Sequence, residues 1–128
     1  MRLRVVLIVS GIIAILLGAF LFLAPDSAVT SFQLGTSDVA SRLFARGFGG
    51  TLMVVGFVNL MASSDQGSPA LRALVLGNLL IHIAAIVTDF TETFPASAGW
   101  WAGFIVHIAL ILAFGYYLLN WPQAVPAR

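Results

Sequence analysis

The chain has 128 residues, of which 60% are hydrophobic and only 9% are charged. A soluble domain carries about 25% Asp, Glu, Lys and Arg, so this composition excludes an ordinary soluble protein. The formal net charge of +1 provides no basic surface for nucleic acid, and the absence of cysteine excludes disulfides and thiolate chemistry.

The few charges divide the chain into four apolar segments that approach or reach the about 20 residues needed to cross a bilayer. We expect membrane spans at residues 5–24, 41–62, 69–90 and 99–120. The first apolar run exceeds the about 7–15 residues of a signal-peptide core, which favours a membrane anchor. Short connections between the spans predict one all-α domain, residues 1–128, folded as an integral membrane four-helix antiparallel bundle.

Arginine placement predicts the orientation, because Lys and Arg favour the cytoplasmic side of short loops. With both termini in the cytoplasm, the inner side carries four arginines and the outer side two. The inner residues are Arg2, Arg4, Arg72 and Arg128, and the outer residues are Arg42 and Arg46. We therefore expect a multi-pass protein of a cell inner membrane with cytoplasmic N and C termini.

Local signals predict three further features. Ser68 before Pro69 is a helix start, with serine as the cap and proline at the first helical position. The outer loop, residues 25–40, has apolar residues among polar ones and is expected to form a short interfacial helix that ends at Gly35. Small residues share one face in each of the first two spans and predict close helix contact, at Gly11, Ala14 and Gly18 and at Gly49 and Gly56.

Ionisable residues inside membrane spans are costly and are the first place to look for a functional site. Asn78, His82 and Asp89 lie within about 40° of one another on the third span and form one polar stripe. His107 lies on the fourth span, about 10 Å below its outer end, which is also the depth of His82. The two histidines are therefore expected at the same level of consecutive antiparallel helices.

Three interpretations of this pair stay open. His82 and His107 are candidate cofactor-binding residues for haem, held between both imidazoles, or for a chlorophyll-type tetrapyrrole. Against haem, neighbouring helices pack about 8–10 Å apart, which is narrow for a porphyrin between two rings. The second interpretation is a proton or quinone site along the stripe with Asn78 and Asp89. The third is that each histidine is neutral and hydrogen-bonds a neighbouring helix.

Arg42 and Arg46 lie four residues apart at the outer end of the second span. One interpretation is an ion-pair cluster that closes the outer end of the bundle, with Asp38, Asp89 or Glu92 as partners. The other is a site for an anion or a lipid headgroup, since a guanidinium suits phosphate and carboxylate. Asn59 points away from this face and is expected to contact another helix or the inner interface.

No catalytic motif is present in the sequence: there is no nucleophile with its base, no phosphate-binding loop and no HExxH. Two histidines and two outer carboxylates are too few for a dedicated zinc or di-iron site within one chain. We therefore expect no catalytic residue and no metal site, and the enzyme class is disfavoured.

The second span, SRLFARGFGGTLMVVGF, resembles the corresponding stretch of small bacterial four-span membrane proteins near the DoxX-like group. The local motif runs from Arg46 to Gly56. The resemblance implies a four-helix bundle with a polar outer end built around Arg46, and it assigns no catalytic residue.

The leading functional hypothesis is a non-catalytic inner-membrane protein, an accessory or structural subunit that packs against other membrane proteins or against itself. One alternative is a subunit that binds haem or chlorophyll through His82 and His107. The other alternative is a protein that binds or transports a lipid or quinone, with Arg42, Arg46, Asn78 and Asp89 as a ligand or ion-pair cluster. Membrane lipids are expected partners in every case.

Overall fold

The computed structural model describes residues 2–32, 36–92 and 98–121, and of Asp89 and residues 91, 92 and 98–100 it describes the backbone alone. Gly35, residues 93–97 between the last two predicted spans, and Arg128 lie outside these ranges. The described part of the chain folds into five helices and no strand: α1 (Leu3–Leu23), α2 (Pro25–Ser31), α3 (Val39–Ala62), α4 (Pro69–Glu92) and α5 (Ala98–Leu119).

The four long helices are apolar enough to cross a membrane. Their mean hydropathy is 3.0, 1.4, 2.0 and 2.1 over the segments Leu3–Leu23, Val39–Ala62, Pro69–Thr88 and Trp101–Leu119. Each of these segments provides the length that a bilayer core of about 30 Å requires. The predicted all-α four-helix bundle is confirmed, and the chain has the length and composition of a multi-pass membrane protein.

Glycines bring α1 and α3 into backbone contact. A Cβ atom on Gly18 would stand 2.5 Å from the Gly49 carbonyl oxygen, and one on Gly49 would stand 2.6 Å from the Gly18 carbonyl oxygen. Gly11 and Gly56 repeat this relationship at 2.9 and 2.6 Å, nearer the end of the bundle that holds Leu3, which we call the inner end. We call the opposite end, with Leu23 and Val39, the outer end. Only glycine leaves room for such an approach, so the predicted contact between these helices is confirmed at these four glycines.

The predicted short helix of the outer loop is α2. It begins at Pro25, which lies at the first helical turn, where proline is well tolerated. Its buried residues Ala28 and Val29 pack with Leu21 of α1 and Ala45 of α3. α2 is thereby folded against the outer ends of α1 and α3, and its own polar residues stay exposed.

The turn between α3 and α4 is held by Asp65 and Ser68. The Asp65 carboxylate accepts hydrogen bonds from the backbone N–H groups of Gly67 and Ser68, each at 2.9 Å. The Ser68 hydroxyl accepts a hydrogen bond from the Leu71 N–H at 3.1 Å, which confirms Ser68 as the cap of α4. Gly67 has a φ of 103°, a backbone conformation that favours glycine.

The hairpin of α4 and α5 joins the α1–α3 pair mainly at the inner end. The main buried cluster lies there and consists of Val6, Leu7, Leu71, Val75, Leu110 and Phe114. Among the described side chains of α4, none beyond Asn78 is buried, and in α5 none before Leu110 is buried. By contrast, α1 has buried residues from Val6 to Leu21. The outer halves of α4 and α5 therefore pack mainly on each other.

Candidate functional site

The two histidines of the long apolar helices contact each other directly. The Nδ1 atoms of His82 on α4 and His107 on α5 lie 2.9 Å apart, with ring centroids 5.2 Å apart. His82 also stacks on the Phe114 ring at a centroid distance of 6.0 Å. Both histidines are half-buried. They lie just beyond Asn78 of α4 and Leu110 of α5, the outermost buried residues among the described side chains of the hairpin. The structure thus brings together the two residues that the sequence placed at the same depth.

This geometry defines the protonation of the pair. For one Nδ1 to donate to the other, one ring must carry its proton on Nδ1, while the accepting Nδ1 must be unprotonated. Two neutral rings are therefore in different tautomers. The pair links α4 to α5 through one hydrogen bond, as neutral polar residues commonly do between membrane helices.

The histidine pair does not fit a haem between its two rings. Two imidazole nitrogens on opposite sides of a metal ion lie about 4 Å apart, because each metal–nitrogen distance is about 2 Å. At 2.9 Å the two Nδ1 atoms leave no space for a metal ion, and none for the plane of a porphyrin. Haem held between His82 and His107 is incompatible with this arrangement.

A second polar group is buried closer to the inner end. Asn59 of α3 donates to the Asn78 side-chain oxygen at 2.8 Å, and Asn78 of α4 donates to the Asn59 oxygen at 2.9 Å. Asn59 also donates to the Ser10 hydroxyl of α1 at 3.2 Å, and Asn78 donates to the Leu74 carbonyl at 3.0 Å. All four amide protons have acceptors, so three helices are joined by a saturated network.

The predicted stripe on α4 is divided between two neighbours. Asn78 turns to α3, whereas His82, one turn further along, turns to α5. Asn78 therefore lies far from the outer arginines, because its partner Asn59 is about 25 Å along α3 from Arg42. The side chain of Asp89 lies outside the described residues.

Arg42 forms an ion pair at the outer end, with a partner that differs from those expected. Its Nη1 lies 3.4 Å from the Asp26 carboxylate of α2 and donates to the Ser37 carbonyl at 3.0 Å. Asp38 instead caps α3, where its carboxylate accepts from the Ser41 N–H at 2.8 Å. Asp26 takes the position because α2 folds back beside the start of α3.

Asp26 is the centre of this outer cluster. Its carboxylate also accepts a hydrogen bond from the Ser37 hydroxyl. That hydrogen bond is the largest cause that lowers the pKa of Asp26 below its usual value of 3.8, and the charges of Arg42 and Arg46 lower it further. The carboxylate is therefore ionised at neutral pH and ties α2 to the loop and to α3.

Arg46 is exposed and forms no ion pair or hydrogen bond with any residue that the structure describes. At about 100° per residue, it lies about 140° around α3 from Asn59, the residue that contacts α4. Arg46 therefore projects from the flank of α3 that faces away from α4. The side chains of Asp89 and Glu92, its expected partners on α4, lie outside the described residues.

No group of three or more His, Cys, Asp or Glu residues that could hold a metal ion occurs within the described ranges. No protein-family model, no curated protein and no solved structure matches the chain. The function proposed for it therefore rests on the geometry of its own residues.

Proposed function

We propose that the chain is a small multi-pass protein of a bacterial inner membrane, an accessory subunit without catalytic activity of its own that packs against another membrane protein. The observation that carries this proposal is an uncovered glycine, Gly103, on the inward face of α5. Gly103 lies within about 40° of Leu110 and Phe114, which are both buried.

The environment of Gly103 differs from that of its neighbours on the same face. A Cβ atom added to Gly103 would meet no atom within 4 Å, whereas the glycines between α1 and α3 have no such room. On the inward face of α5, the rest of the bundle therefore covers Leu110 and Phe114 but leaves Gly103 uncovered. We call this uncovered side of α5 around Gly103, in the outer half of the hairpin, the cleft, and infer that a helix of another protein can pack there.

The chemistry of the cleft suits a helix. In a bilayer, helices associate through close packing at small residues, because lipid chains are as apolar as the helices themselves. Gly103 and the neighbouring Ala102 expose the backbone of α5 on this side. The polar residues nearby, His82 and His107, are joined to each other by a hydrogen bond between their Nδ1 atoms.

The proposal also includes the orientation of the chain in the membrane and its resemblance to a bacterial family. The positive-inside rule places Arg2, Arg4 and Arg72 in the cytoplasm and the Arg42–Asp26 pair outside. The cleft then opens in the outer leaflet. The resemblance of the second span to the DoxX-like group supports a bacterial four-span protein of this kind.

The test is a pair of matched glycine substitutions. Gly103→Leu fills the cleft, whereas Gly115→Leu fills equally open space about 120° around α5, on a different face. With the tagged chain expressed in its native host and purified in mild detergent, we expect a stoichiometric partner with wild type and Gly115→Leu, and loss of that partner with Gly103→Leu. A partner-free wild-type monomer, or equal recovery with both variants, would contradict the proposal.

A second candidate function uses the same cleft for a small molecule with a hydrogen-bonding head, such as a quinone. The observation that favours it is that His107 lies one turn from Gly103 and is only half-buried. A quinone site predicts that His107→Phe and Gly103→Leu each abolish quinone bound to the purified protein. A partner interface predicts that Gly103→Leu acts alone.

A further inference from the structure

A groove runs between α1 and α5 along the inner half of α1, with a volume of about 210 Å³. Its floor is formed by Val6 and Leu110, which are buried in the main cluster. Its walls are partly exposed and consist of Val5, Val9 and Ile13 of α1 and Val106, Ala109 and Ala113 of α5. All of these lining residues are apolar, so the groove suits an apolar occupant.

The groove has the depth range of the acyl chains of one leaflet. Val5 lies near the inner end of α1, and Ile13 is the central residue of that helix, about 12 Å away. Half of the hydrocarbon core measures about 15 Å, so the groove covers most of the leaflet at the inner end. An acyl chain in the groove contacts two helices at once, whereas a chain beside a single helix contacts only that helix.

Arg2 lies at the inner mouth of this groove. It immediately precedes α1, and its carbonyl accepts a hydrogen bond from the Val5 N–H at 2.8 Å, which holds it on the helical path. At about 100° per residue, it lies within about 60° of Val5, Val9 and Ile13 around the helix. Its side chain is exposed and makes no hydrogen bond or ion pair with any residue that the structure describes.

The inner end carries an excess of positive charge. By sequence, its charged side chains are four arginines and one carboxylate: Arg2, Arg4, Arg72, Arg128 and Asp65. The hydrogen bond from the Ser68 hydroxyl is the largest cause that lowers the pKa of Asp65, so this carboxylate is ionised at neutral pH. The net charge of these side chains is therefore +3. Arginines beside a membrane surface attract anionic headgroups.

We propose that Arg2 binds the phosphate of an anionic phospholipid, one acyl chain of which lies in the groove between α1 and α5. A guanidinium suits phosphate in charge and in the geometry of its hydrogen bonds. The groove distinguishes a phospholipid from a free phosphate ion, because only a lipid brings a chain into it. The site lies closer to the inner end than the cleft around Gly103, and it does not rest on the partner proposed there.

The test is native mass spectrometry of the detergent-solubilised protein titrated with phosphatidylglycerol. We expect wild type to hold one tightly bound lipid and Arg2→Gln to bind it about tenfold more weakly. Arg4→Gln is the matched control, because it removes the same charge from an exposed residue at the same end, about 160° around α1 from Arg2. We expect it to leave the affinity unchanged. Full affinity of Arg2→Gln, or equal losses in both variants, would overturn the proposal.

Two further arms separate a lipid from free phosphate. Ala109→Leu enlarges an exposed wall residue of the groove and keeps Arg2, so we expect it to weaken phosphatidylglycerol binding several-fold. Gly115→Leu, about 120° around α5 from Ala109, is its control and is expected to bind as wild type does. Inorganic phosphate at millimolar concentration is expected not to displace the lipid. Displacement by inorganic phosphate, or unchanged binding to Ala109→Leu, would overturn the lipid assignment.

Discussion

Asn59 and Asn78 exchange two hydrogen bonds, so their amide groups form a closed pair between α3 and α4. Both side chains are almost completely buried, at 1% and 3% exposure. Because few contacts join the α4–α5 hairpin to α1 and α3 outside the inner cluster, this pair fixes the position of α4 relative to α3.

The asparagine pair predicts a non-additive double-mutant cycle. Asn59→Ala or Asn78→Ala alone leaves the partner with unsatisfied groups and is expected to cost about 1–3 kcal/mol of unfolding free energy. The double variant is expected to cost about 0.6–1.7 kcal/mol less than the sum of the two single variants, which is the coupling expected for a hydrogen bond between membrane helices. SDS titration in mixed micelles, followed by circular dichroism, measures these values. Strictly additive costs would show that the two amides do not interact.

The α1–α3 contact predicts opposite effects of glycine substitutions. Gly49→Ala places a methyl group within 2.6 Å of the Gly18 carbonyl oxygen and is expected to destabilise the bundle by about 1–3 kcal/mol or more. Gly77→Ala meets nothing within 4 Å and is expected to stabilise α4 by about 0.5–1 kcal/mol, since alanine is the better helix former. The same SDS titration compares them. A neutral Gly49→Ala would mean that the helices lie further apart.

The histidine pair predicts two different tautomers in one protein. With uniformly ¹⁵N-labelled histidine, we expect one ring protonated at Nδ1 and the other protonated at Nε2, with a scalar coupling between the two Nδ1 atoms. His82→Phe removes the partner and is expected to abolish the coupling in the His107 signals. Two rings with the same tautomer and no coupling would contradict the hydrogen bond.

The outer cluster predicts that two substitutions raise the pKa of Asp26. The folded pKa lies below the usual 3.8, so the cluster stabilises the fold above that value and loses its effect as the pH falls through the lowered pKa. We expect Ser37→Ala and Arg42→Gln each to raise the pKa of Asp26, because each removes a group that lowers it. NMR titration of the side-chain carboxyl carbon measures both. An unchanged pKa in both variants would show that these contacts do not form.

Patterns local to one helix could be predicted from the sequence. Charge spacing is sufficient to place the four spans, and the residues around Ser68 are sufficient to locate the start of α4. The face shared by Gly49 and Gly56 also follows from the helical repeat alone. Each of these features depends on neighbours along the chain, which a sequence shows directly.

Relationships between helices could be predicted only in part. His82 and His107 were expected at one depth, because α4 and α5 are joined by a short loop. Asn78 was expected to belong with the outer residues, but it pairs with Asn59, since the face of α4 that meets α3 depends on how the two hairpins pack. The sequence alone does not indicate Asp26 as the partner of Arg42, because the contact requires α2 to fold back. The proline and aspartate at the start of α2 were the available signal.

The proposed function requires that the bundle is inserted in the membrane with α2 on the outer side. The chain has no cysteine, so a thiol reagent reacts only at a single introduced cysteine. Its labelling shows on which side of the membrane that residue lies. Ser27→Cys lies on exposed α2 and Gln66→Cys lies in the exposed turn between α3 and α4. We expect a membrane-impermeant maleimide to label Ser27→Cys in intact cells and Gln66→Cys only after permeabilisation. Labelling of Gln66→Cys alone in intact cells, or of both positions equally, would contradict the proposed arrangement.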